Sequence, residues 1–177
     1  RARSVAVRAA CVSAAASTVT RQVTQALGAQ MLMLGGVAAD ITEAEEKLQD
    51  AVSSGRALAK FREIVITQGG DGRVVDEPSR LPQARHQVPL VAPADGFVVD
   101  VDAMGVALAA LRLGAGRARA EDKVDPAVGV SGLVKMGERV SAGSPLCVIH
   151  ANDTTALAES RTMLAKAIIV GNEPGVP

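Results

Sequence analysis

The sequence has no Trp and no Tyr, and Phe61 and Phe97 are its only aromatic side chains. Their scarcity removes the stacking platforms that hold single-stranded nucleic acid and most sugar faces, and it leaves any core to aliphatic packing. Net charge is lacking too: 19 basic side chains balance 19 acidic ones, a formal +0 at pH 7. Without an overall positive field a polyanion is not drawn in, so nucleic acid is not an expected partner. Cysteine is limited to Cys11 and Cys147, far apart and without a Cys-x-x-Cys or a neighbouring histidine pair. Neither a disulfide framework nor a zinc site is readable from them. The longest apolar run, Ala26 to Ala39, is interrupted by Gln30 and falls short of the roughly 20 residues that cross a bilayer. A soluble protein of a reducing compartment, with no membrane partner, is expected.

What is present suffices for one sizeable core or two modest domains, with 177 residues of which 48% are hydrophobic. The chain opens on Arg1 rather than Met, which suggests a fragment or a processed product. From Arg1 to Ala39 there is no Asp or Glu, while Arg1, Arg3, Arg8 and Arg21 alternate with Ala, Ser and Val. Transit peptides share that composition, but a helix surface or an ill-defined terminus is the preferred reading.

Helical periodicity begins at Thr18 or Thr20. Val23, Leu27, Met31 and Leu34 recur at three- and four-residue spacing up to Gly35-Gly36, which predicts a packed helix with Met31 and Met33 as core filling rather than the lining of a ligand groove. Asp40 or Thr42 then caps a second helix running through Leu48 and Val52 to Ser54-Gly55. Glu43, Glu45 and Glu46 invite a metal reading, but capping and solubility account for them, since no His, Cys or Asp completes a ligand set. A third helix runs from Arg56 to about Gln68, with Leu58, Phe61, Ile64 and Val65 as its stripe and Gly69-Gly70 as its stop.

The stretch from Val88 to Ala151 alternates β-branched runs with turn residues most densely, as short strands do. Within it, Val101 to Leu113 is rich in Ala, Leu and Met and is followed by Gly114, which predicts a helix with a left-handed stop. A last helix after Ala151, capped by Asn152 or Asp153, carries Leu157, Met163 or Leu164, and Ala167. A short strand from Ile168 to Val170 closes onto the sheet. The expected fold class is α/β of the α+β kind: N-terminal helices, then a mixed and mainly antiparallel sheet domain with packed helices, related in architecture to barrel-sandwich hybrid domains. The divisions are an atypical segment 1–22, a helical segment 23–70, a turn-rich connector 71–87 with Gly72, Pro78 and Pro82, a mixed domain 88–171 and a tail 172–177.

Few residues invite chemistry. Histidine is the residue type suited to proton transfer near neutrality, and there are two, His86 in the connector and His150 at a strand end. Neither has a recognisable Ser or Cys nucleophile beside it, so both read as structural. The Gly114-Ala115-Gly116-Arg117-Ala118-Arg119 loop is the most tempting phosphate site. It follows a helix C-terminus, however, where carbonyls repel anions, and no Gly-Lys-Ser/Thr follows it. A turn is the better reading, with Asp122 and Asp125 near enough to pair with Arg117 and Arg119.

Several phrases in order carry a family resemblance: LGAQMLMLGG at Leu27 to Gly36, SGRALAKFREIVITQGGD at Ser54 to Asp71, LPQA at Leu81 to Ala84, LGAGRARAEDKVDPAVGV at Leu113 to Val130, and VKMGERVSAGSPLCVIHAND at Val134 to Asp153. From about Val23 onward the chain resembles the C-terminal portion of the pyrimidine nucleoside phosphorylases, including thymidine phosphorylase. The resemblance implies a cytoplasmic homodimer that cleaves a pyrimidine nucleoside with inorganic phosphate, giving free base and ribose- or deoxyribose-1-phosphate. Phosphate is the co-substrate, and no cofactor is implied in this chain. The family's Gly-Gly-Thr-type phosphate loop, its Arg, Ser, Lys and His contacts to base and phosphate, and the potassium-site residues of some members belong to its N-terminal part. They have no counterparts here, so no catalytic, substrate-binding or metal residue is carried over. The expected partner is the missing N-terminal half, and the chain alone is expected to be inactive.

Two other readings stand beside this one. VKMGERVSAGSPL resembles half of a biotinyl or lipoyl carrier domain, but Gly105 stands where the modified lysine would be needed after Asp102-Ala103-Met104, and Lys135 is the only nearby substitute. The other is a non-catalytic structural or interaction remnant.

Overall fold

Helix ends in this chain are set by short acidic side chains and glycines, and the structure uses nearly every one. The computed structural model describes residues 18–117 and 119–174; Arg1, Arg3, Arg8, Cys11 and most of the segment 1–22 lie outside them. Two compact units divide the chain between Leu81 and Pro82.

In the first unit, α1 is Thr18–Leu34, α2 is Ile41–Ser53 and α3 is Arg56–Thr67. Helix α1 closes with Gly36 N–H on Met33 O and Val37 N–H on Leu32 O, and α3 closes in the same way with Gly69 N–H on Ile66 O and Gly70 N–H on Val65 O. This paired closure satisfies carbonyls the helix leaves open. Asp40, rather than Thr42, caps α2: its Oδ1 accepts the Glu43 N–H at 2.9 Å, and Glu43 Oε2 accepts the Ala39 N–H at 2.7 Å. The exchange is a capping box whose returning carboxylate reaches one residue beyond the cap.

Packing of α1 departs from the sequence expectation. Val23, Leu27, Met31 and Leu34 are 53%, 63%, 72% and 88% exposed. The opposite face does the packing: Ala29, Ala38 and Ala44 are buried with Leu32, Met33 and Leu48 against them. A Cβ at Gly28 would stand 3.1 Å from Leu48 Cδ1, so the small residues let α1 and α2 approach closely. Met33 therefore fills a core as expected, and Met31 does not. The physical reason is that α1 has a single charged residue, Arg21, so periodicity alone does not tell one apolar face from the other. A separate cluster joins Phe61 and Val65 of α3 to Val74 and Val75 of the 3-10 turn Gly72–Val75, with Leu58 and Leu81 packed on it.

In the second unit the elements are β1 (His86–Val91), β2 (Gly96–Val101), α4 (Ala103–Arg112), β3 (Gly129–Ser131), β4 (Arg139–Val140), β5 (Pro145–Ala151), α5 (Thr154–Ala167) and β6 (Ile168–Gly171). They form two antiparallel three-stranded sheets, ordered β1-β5-β3 and β4-β2-β6. This is the expected mixed α/β class, with open sheets rather than a closed barrel. One strand face makes the core: Cys147, Ile149 and Ala151 are fully buried, with Val148 and His150 alternating to the other side. The same cluster takes in Val98, Ala109, Leu164 and Ile168. Ser160 on α5 is fully buried, and its hydroxyl donates to Ala109 O of α4 at 3.0 Å, which offsets the cost of burying it.

Two boundaries differ from those expected. The helix predicted from Val101 starts at Ala103, because Val101 ends β2 opposite Ile168 and Asp102 is the cap, accepting the Met104 N–H at 3.0 Å. His86 opens β1 opposite Ala151 rather than lying in a connector. Of the two candidate caps for α5, Asp153 is used, its Oδ1 accepting the Ala156 N–H at 2.7 Å.

Candidate functional site

Strand register decides whether the two histidines share a site. His86 faces Ala151 across the β1–β5 pair, and Gln87 faces His150. Neighbouring residues of a strand point to opposite faces, so His86 lies on the Ile149 side and His150 on the other. They do not meet. On the outer face, Ser131 pairs with Val148, and its Oγ comes within 2.7 Å of His150 Nε2. Burial pushes the His150 imidazole below its ordinary value, which favours the neutral ring. A hydroxyl against a neutral imidazole is two-thirds of a nucleophile relay, but among the described residues Ser131 is the only hydrogen-bond partner of that side chain. No carboxylate among the described residues hydrogen-bonds the ring to orient it as acyl transfer requires. Sequence reading missed Ser131; alternation would place it beside His150 only once the β3–β5 register is known.

A second polar constellation sits where three segments meet. Asn152 Nδ2 donates to Asp125 Oδ2 at 2.7 Å, and Asn152 Oδ1 accepts the Arg85 N–H at 2.8 Å. Asp125 Oδ1 accepts the Ala127 N–H at 2.9 Å, and the Asp125 N–H donates to Gly114 O at 3.0 Å. The set ties the start of β1 and the end of β5 to the loop between α4 and β3. Asp125 thus spends both carboxylate oxygens here rather than on Arg117 or Arg119. Asp122 is a local tie through the main chain, accepting the Arg119 N–H at 2.8 Å.

The Gly114 loop begins as a helix C-terminus. Gly114 N–H donates to Leu111 O and Ala115 N–H to Ala110 O, with Gly114 at φ 94°. Carbonyls rather than amides face its opening, which disfavours phosphate. Ala118 of this loop lies outside the described residues. Gly105 is inside α4, where a Cβ would meet Asp102 Oδ2 at 2.8 Å and Ala167 Cβ at 3.0 Å. No exposed hairpin tip stands there, whereas Lys135 is exposed in the turn before β4. Glu43 is a capping carboxylate, held below its usual range first by the Ala39 N–H and then by Lys47. Cys147 is buried, and burial pushes its thiol up, away from the reactive thiolate. Among the described residues no three His, Cys, Asp or Glu side chains stand close enough to hold a metal ion, and no helix is long and apolar enough to cross a membrane.

Comparison with known proteins adds what these contacts lack. Residues 97–171 match the family described as the pyrimidine nucleoside phosphorylase C-terminal domain. The thymidine phosphorylase of Burkholderia orbicola strain MC0-3 is 41% identical over 156 residues, which is 88% of this chain and 36% of that protein. The pyrimidine-nucleoside phosphorylase of Bacillus subtilis strain 168 is 43% identical over 126 residues, 71% of this chain and 29% of its own length. A Staphylococcus epidermidis protein of the same name, from strain ATCC 12228, is 40% identical over 126 residues. The chain thus spans about a third of the length of the curated relatives it matches.

Proposed function

We propose, from the match of residues 97–171 to the pyrimidine nucleoside phosphorylase C-terminal domain family, that the chain supplies the C-terminal part of an enzyme that splits thymidine- or uridine-type nucleosides with inorganic phosphate. In that reaction a phosphate oxygen forms a bond to C1′ of the sugar as the bond from C1′ to the base nitrogen breaks. The electron pair leaves with the base, which takes up a proton, and the sugar keeps the phosphate as ribose- or deoxyribose-1-phosphate. The observation that carries the reading is the length of the match: identity of 41% over 156 residues reaches well beyond the 97–171 domain into the helical unit.

The anion-holding contacts of this reaction lie, in the proposal, outside these 177 residues, and the chain alone is inactive. Such chemistry needs amides and cations converging on phosphate and on the departing base. Here many arginines are instead neutralised one by one at the surface, Arg56 by Asp50, Arg62 by Asp76, Arg73 by Asp71, Arg80 by Glu77 and Arg112 by Glu159. The proposed partner is the N-terminal part of such an enzyme, in a homodimer of the cytoplasm, with phosphate as co-substrate and no resident cofactor. The deciding assay supplies thymidine or uridine with inorganic phosphate to the purified chain and follows release of the base. No release is expected; turnover comparable to a complete phosphorylase would show that the contacts are present after all.

A further inference from the structure

We propose that the exposed stripe of α1, Val23, Leu27, Met31 and Leu34, is the seat for the part of a pyrimidine nucleoside phosphorylase that precedes its C-terminal portion. The inference rests on the functional reading above and adds the docking face. Scattered exposed aliphatics need no explanation. These four form a continuous line about 16 Å long on one side of a helix, the side opposite Ala29 and Leu32, and their exposure rises from 53% to 88% along it. Val37 and Ile41, just past the helix end, are exposed as well. Helix α1 also carries Thr, Gln and Arg side chains, but its large aliphatics stand on two opposite sides, and each such side is a surface that burial would stabilise. One side of α1 is taken by Ala38, Ala44 and Leu48; the other awaits a cover.

The relatives say how much chain is available to supply it. The match takes up only 36% of the Burkholderia thymidine phosphorylase, so nearly two-thirds of such an enzyme lies outside it. A second copy of this chain is the weaker occupant, because four side chains on one helix bury far less than the about 1,200 Å² of a stable dimer. A segment continuous with the chain needs no such area, since the effective concentration of a tethered face is high.

The test replaces the matching segment of the Burkholderia enzyme by this chain and compares L27E/M31E in the fused protein and in the 177-residue chain alone. The expected result is asymmetric. In the chain alone the substitutions leave the melting temperature within about 2 °C, as exposed sites do; in the fused protein they lower it by about 10 °C or more or prevent folding, as burial of two carboxylates does. L27A/M31A gives a smaller, measurable loss in the fused protein if the glutamates abolish it. Equal melting of fused wild type and variants would overturn the proposal. So would destabilisation of the chain alone, which would mean the stripe is covered from within it, or a dimer of the chain that L27E/M31E dissociates in light scattering. A fused wild type that does not fold overturns it as well. Phosphorolysis is read separately: an inert fused protein with the asymmetric stripe effect removes the functional reading and leaves the docking face.

Discussion

The two units bury their apolar residues differently. From Pro82 onward one connected cluster runs from Ala84 through Val98, Ile149 and Leu164 to Ile168. Before it the buried residues fall into two small groups, Ala29, Ala38 and Ala44 in one and Phe61, Val65, Val74 and Val75 in the other. The larger aliphatics Val23, Leu27, Met31 and Leu34 remain outside both. A single core makes every member share in one cooperative transition; small separate groups gain less area per ordered residue and tolerate loss locally. The second unit has the means to hold itself together, and the first holds its shape with its largest apolar face still to be covered.

Substitution should expose that contrast most sharply at buried leucine. Leu164 is fully buried, and Leu164→Ala should cost about 2–5 kcal/mol and lower the denaturant midpoint of the second unit. Leu27→Ala in the first should stay within about 0.5 kcal/mol in the isolated chain. A comparable loss at both sites in urea unfolding would abolish the distinction between the units.

Gly114→Ala comes next. The new methyl would find room, its nearest neighbour being Val128 Cγ2 at 3.9 Å, but the backbone stands at φ 94°. The strain alone should cost about 1–2 kcal/mol, seen as a lower melting temperature without a cavity or a clash in the variant's structure.

The caps sharpen the comparison at about 1 kcal/mol each. Asp153→Ala should shift the transition of the second unit as a whole. Asp40→Ala should loosen α2 locally, raising amide exchange around Ala39 to Ala44 while the strands stay protected. Protection lost throughout both units in the Asp40→Ala variant would show that they unfold as one.

The smallest effects are in pH. His150 has its pKa lowered by burial, so the unfolded chain binds the proton first. The resulting stability is complete above the ordinary value of 6.5 and falls as pH drops from there toward the folded value. Asp71 is lowered from 3.8 to about 2, chiefly by side-chain hydrogen bonding with Arg73. Its contribution is present above 3.8 and is lost as pH falls toward about 2. Melting followed by unit-specific probes should show a shallow decline below 6.5 in the second unit, absent in His150→Gln, and a later one in the first, absent in Asp71→Asn. The Asp71 carboxylate being exposed and His150 only partly buried, each decline should be small.

Much of the fold was legible because its signals are local. Asp40 and Asp153 with the amides they cap lie within three residues, and the glycines that close α1, α3 and α4 act within six. The family resemblance was legible for a similar reason, since it lies in contiguous phrases such as Leu113 to Val130. The candidate site was legible mainly by what it lacked. Ser131 and His150 are 19 positions apart, Asp125 and Asn152 are 27, and nothing in either neighbourhood marks the other.

By itself, then, the sequence determined which segments are helical, their candidate caps and glycine stops to within a residue or two, and which family's phrases the chain carries, because dihedral preferences and short-range hydrogen bonds act between near neighbours. Only the tertiary structure decided which face of α1 would be covered and that His86 and His150 stand on opposite sides of a sheet. Those outcomes depend on how closely Gly28 lets Leu48 approach and on the register in which β1 and β5 pair, and both are settled by residues far away along the chain.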